Sequence, residues 1–103
     1  MSEANIARGE TGFALGDRTL IVRPSFAALV AAEGELGPLL ALADRAAEGR
    51  LLLAEMAGLI WHCLVERDGL TRDDIGGALV AQGVGAALPA VRAVLRQVLS
   101  GSA

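Results

Sequence analysis

The chain has no Lys and no Tyr, a single Cys, a single His, and only three residues that are Phe or Trp. Without Lys, every basic residue is an Arg. The nine Arg are scattered among twelve carboxylates, for a net charge of -3 and a pI of about 5.0. Nonspecific affinity for nucleic acid needs a concentrated positive field, so no nucleic-acid partner is expected. One Cys excludes an internal disulfide and fits a reducing compartment. So few aromatics leave Ala, Leu and Val to build the core, thin side chains suited to close helix packing. A membrane-length run is also missing. The longest uncharged stretch, Ile75 to Val91, falls short of the ~20 residues that span a bilayer and contains Gly76, Gly77, Gly83, Gly85 and Pro89. The N-terminus, MSEANIARGE, is polar and lacks the apolar segment of a secretory leader. The expectation is a cytoplasmic protein with no membrane partner.

What is present is apolar. Hydrophobic residues make up 53% of 103 residues, enough for one packed domain. Residues 1–10 read as a flexible tail and 11–103 as the domain. GFALGDRTLIVR reads as a β-hairpin within 11–23, with Gly16-Asp17 as a two-residue type I′ or II′ turn. Helices are expected over about 25–33, 38–48, 51–67, 72–82 and 86–100, punctuated by Gly34, Gly37, Gly49, Gly69 and Gly83. Ser25 is a candidate N-cap. Thr71 with Asp74 forms a capping box, and Pro89 falls in the first turn of the last helix. The fold class is mostly α: a small bundle of four to five helices with an N-terminal β-hairpin.

The suspicious stretch is IWHCLV, where Trp61, His62 and Cys63 stand side by side. Successive helical residues are turned by ~100°, so the three diverge and cannot converge on one ion or substrate. On a wheel, Leu53, Met56, Ala57, Ile60 and Leu64 form the inner face. Glu55, Gly58, His62 and Glu66 form the outer one, with His62 one turn before Glu66. His62→Ala should then cost little, and Ile60→Ala or Leu64→Ala ~2–5 kcal/mol. A zinc site needs three or four ligands, which one His and one Cys do not supply. The acids Asp68, Asp73 and Asp74 flank Arg67, Arg72 and a glycine turn, and read as solvated loop and helix caps. No phosphate-loop, dinucleotide or nucleophile pattern occurs. No catalytic, metal or cofactor residue is therefore assigned, and the chain is not expected to be an enzyme. A helix-turn-helix across GVGA is the main rival. Its recognition helix would begin Ala86, Ala87, Leu88, Pro89, Ala90, which offers no donors to base edges.

The order of features resembles the tail assembly chaperone family of gene transfer agents and tailed phages, across residues 8–100. Phe26, Ala28, Leu29, Glu33, Leu36 and Gly37 match that family's first helix, and Ile75 and Gly83 a later segment. The resemblance implies a non-enzymatic protein of tail morphogenesis in the bacterial host cell. Its implied partner is the long, apolar tape-measure protein, kept soluble until tail-tube protein polymerises around it. An apolar groove would suit a partner helix. A spare strand edge would allow pairing between copies, with Leu20 and Val22 the candidate self-association residues. The alternative for those two is that they cover the bundle.

Overall fold

A computed structural model describes Asn5 and residues 9–101. Most of the expected tail, residues 1–4 and 6–8, lies outside the described residues. The hairpin is β1 (Thr11–Leu15) and β2 (Arg18–Val22), antiparallel with Phe13 opposite Leu20. Gly16 has φ 60, and among the described residues none other than glycine has positive φ. Asp17 therefore cannot complete a type I′ turn, which needs positive φ at both central residues, and the loop fits type II′. Just before the hairpin, Glu10 is buried and its carboxylate accepts from Arg23 Nε, tying the entering chain to the exit of β2.

Five helices follow: α1 (Phe26–Leu36), α2 (Leu39–Ala47), α3 (Leu53–Cys63), α4 (Arg72–Gln82) and α5 (Val84–Ser100). The local start signals act as read. Ser25 Oγ accepts from the Ala28 amide, and Thr71 and Asp74 cap each other, Oγ1 to amide at 3.2 Å and Oδ2 to amide at 2.8 Å. Each bond satisfies an orphan N–H of the first turn. α3 starts differently: Glu55 folds back to accept from the Leu52 amide and is held there by the Arg45 fork. One core, built from both hairpin strands and all five helices, includes Phe13, Val22, Leu42, Leu59, Ile75 and Val94.

Three helix boundaries differ from expectation. α1 continues through Gly34 to Leu36, because Leu36 packs against Gly58 of α3; that contact offsets the ~1 kcal/mol a mid-helix glycine costs. α5 begins at Val84, so Pro89 stands in its second turn. The carbonyl it leaves unpaired belongs to Gly85, exposed to water. α3 stops at Cys63 rather than Arg67. Beyond it, Leu64 is extended and bridges Val22: the Arg23 amide donates to the Cys63 carbonyl and the Val65 amide to the Ile21 carbonyl, at 2.6 and 3.0 Å. The chain after α3 thus lies along the outer edge of β2 and takes backbone bonds that a neighbouring strand would otherwise use.

No single helix among the described residues is long and apolar enough to cross a membrane; α1 and α2 qualify only when joined, and they meet at 78°.

Candidate functional site

The early end of α3 rearranges the Trp-His-Cys stretch. Cys63 points into the core, and burial pushes its thiol up to about 12. At neutral pH it holds its proton and is no nucleophile. His62 has no Glu66 one turn on, because residue 66 is past the helix. Its Nε2 lies 2.7 Å from Glu35 Oε1 on α1 instead. Arg72, at the start of α4, grips the same carboxylate through both terminal nitrogens, at 2.9 and 2.7 Å. Trp61 carries the guanidinium groups of Arg67 and Arg72 over its ring, 5.2 and 5.8 Å from the centroid. Gly58, expected outward, is buried against Leu36.

The result is a polar clamp that joins α1, α3 and α4. Chiefly the Arg72 hydrogen bonds, and then that of His62, pull the Glu35 carboxyl from 4.5 down to about 2. Its polar groups are mostly spent on one another; Arg72 Nε, buried without a partner, is the exception and lies inside the packing. This is a structural tie rather than a set of groups aimed at a substrate. Neither Glu35 nor Arg72 was singled out in the sequence, since they are separated by 37 residues and lack any local motif.

Two predictions follow from the clamp. Arg72→Ala removes both bonds to Glu35 and the stack on Trp61, and should cost ~1–3 kcal/mol. His62→Ala leaves the Arg72 bonds in place and should cost below ~1 kcal/mol; urea titrations would order the two. The Glu35 contribution is also pH-dependent. Its folded pKa is lowered, so the stabilisation is complete above about 4.5 and fades as pH falls toward about 2. Glu35 is exposed enough for solvent to hold the effect to on the order of 1 kcal/mol. The melting-point gap between wild type and Glu35→Gln should close across that window, and a gap that stays constant would contradict the pairing.

Leu20 and Val22 are both core residues, so neither side chain is on the surface of one chain, and the β2 edge beside them is partly occupied by Leu64 and Val65. Asp73 and Asp74 are exposed at the α4 start, Asp74 in its cap, and Asp68 is exposed in the preceding loop. Among the described residues no three His, Cys, Asp or Glu are grouped to hold a metal.

The surface does hold a groove. Between α3 and α4 lies a cleft of about 300 Å³, lined by Leu53, Ala54, Ala57, Gly76, Leu79 and Val80 together with Arg72 and Asp73. Leu53 was placed on the inner face by the wheel, yet it is 51% exposed; Val80 is 74% and neighbouring Leu52 62% exposed. Gly76 keeps the α4 wall low. Such a lining suits apolar side chains, with Arg72 and Asp73 as its charged members.

A family model described as phage tail tube protein, GTA-gp10, matches residues 8–101. The chain belongs to that family. No curated protein and no solved structure matches it. Membership upholds the resemblance to a tail family of gene transfer agents and phages, over almost the same residues. It is a family of structural tail proteins rather than enzymes. Its description names the tail tube and does not reach the narrower chaperone role. It also lends nothing to a DNA-binding regulator, whose recognition helix would be α5; that helix opens with Val84, Gly85, Ala86 and Ala87.

Proposed function

We propose that this member of the family is a tail assembly chaperone. It binds an apolar helix of the tape-measure protein and keeps that protein soluble until tail-tube protein surrounds it. The observation that carries the reading is the α3–α4 groove, lined mostly by apolar side chains, with Leu53 and Val80 exposed in it. An isolated globular protein gains nothing from leaving such side chains in water, whereas a helix-in-groove partner would cover them. Its role is contact rather than catalysis, and it is exercised in the cytoplasm of the host cell before a finished particle exists.

Co-expression with the tape-measure protein of the same particle tests this. The soluble fraction of that protein should rise, and the two should co-purify. Unchanged solubility together with failure to co-purify would sink the proposal.

A further inference from the structure

The α3–α4 groove has a charge balance and a shape of its own. Two charged residues line it, Arg72 and Asp73. The Arg72 charge is already met: both terminal nitrogens bond to the Glu35 carboxylate, and the guanidinium lies over Trp61. Arg67 stands over the same ring but does not line the groove. Asp73 is exposed, and among the described residues its side chain makes no hydrogen bond or ion pair. It sits in the first turn of α4, where the helix dipole favours it, but all of its acceptor capacity is left over. The groove therefore presents a negative charge with no counter-charge.

The shape is set by small residues. Asp73, Gly76 and Val80 share one face of α4 at helical spacing, and Gly76 follows Asp73 by about 4.5 Å along the axis. A Cβ at Gly76 would meet nothing within 4 Å. Across from it α3 offers Ala54 and Ala57. The wall thus has a hollow one turn from the unpaired carboxylate.

We propose that the groove selects, among apolar helices, one that carries Lys or Arg a turn away from a bulky apolar residue. The bulky side chain fills the hollow at Gly76, and the cation pairs with Asp73. Helix-in-groove partners dock through anchors three or four residues apart, which is the spacing of these two features. A helix with an acid at the same place is rejected, because Asp73 would face like charge and Arg72 is held by Glu35. The inference rests on the chaperone reading and specifies which segment of the tape-measure protein is held.

Helical peptides tiling the tape-measure protein, read by fluorescence anisotropy against the full chain, test it. The peptides that bind should carry the basic and bulky pair, and replacing their Lys and Arg by Glu should weaken them at least about tenfold. Asp73→Arg should reverse that preference, binding the Glu-substituted peptide better than the basic one. Affinity for the basic peptide should fall between about 50 mM and about 500 mM salt, and less steeply for Asp73→Asn. Asp68→Asn removes the same charge from the loop outside the groove and should change neither affinity nor salt dependence. Gly76→Leu should weaken binding at least about tenfold, whereas Gly34→Leu, which adds the same bulk to α1 where a Cβ also meets nothing, should not. Gly76→Ala separates binding from folding: its melting temperature should rise, since alanine is the better helix former, while its affinity falls about threefold. A wild type that binds no peptide sinks the chaperone reading and this inference with it. Binding that Val80→Glu abolishes, but that ignores peptide charge and Asp73→Arg, overturns this inference alone. So does a Gly76→Leu variant that is folded and binds as wild type does.

Discussion

Phe13→Ala should destabilise the fold by ~3–5 kcal/mol, among the largest losses any single change would produce here. The Phe13 ring is buried opposite Leu20, and β1 packs on α4 and α5. A two-stranded hairpin has little stability alone in water. This one persists because Phe13, Leu20 and Val22 belong to the helical core. Removing the ring leaves a cavity beneath the hairpin and loosens both strands. At ~4–8 °C per kcal/mol for a domain near this size, the melting temperature should fall by roughly 12–40 °C. Thr19→Ala, on the exposed face of the same hairpin, should stay within about 0.5 kcal/mol. Similar losses for the two would mean that the hairpin is not seated on the bundle.

The second large effect separates two residues that helical periodicity alone treats alike. Ile60 and Leu53 are seven apart on α3, and a wheel puts both on its inner face. Ile60 is completely buried and Leu53 lines the open groove. Ile60→Ala should cost ~2–5 kcal/mol, and Leu53→Ala below ~1 kcal/mol, since half of its surface is already in water. Chemical denaturation measures both. Equal costs would mean that the α3–α4 cleft is closed in solution, and the surface assigned to the partner would disappear with it.

That pair also shows where sequence reading succeeds and stops. Local chemistry was legible: the Gly16 turn, the Ser25 cap, the Thr71–Asp74 box and the Gly83 break each act within a few residues. The apolar centre of α3 was legible as well, because Met56, Ala57 and Ile60 obey one period. What escaped depends on partners distant in sequence. α3 ends at Cys63 because the Cys63 carbonyl and the Val65 amide bond to Arg23 and Ile21, some forty residues earlier, and no residue between Leu64 and Arg67 announces a stop. His62 turns to Glu35, and Glu35 to Arg72, through packing that brings α1 onto α3; the local alternative, Glu66, was the natural guess and is out of reach once the helix has ended. Gly58 reads as an outward gap on a wheel, but it is the seat that lets Leu36 approach. The groove was invisible for the same reason. Whether Leu53 and Val80 face protein or water is decided by how α3 and α4 pack together, which their spacing does not encode.

The tail family was legible from the order of small apolar motifs, whereas the binding surface had to come from the fold. The proposed function rests on that surface, and one measurement reaches it most directly. Isothermal titration calorimetry of the purified chain against an apolar helical segment of its tape-measure protein should show saturable binding with a negative heat-capacity change. Val80→Glu, at a position 74% exposed, should leave the fold intact and weaken that binding at least about tenfold, while Gly34→Leu should bind as wild type does. No binding by the wild type, or a Val80→Glu variant that binds with undiminished affinity, would contradict the account.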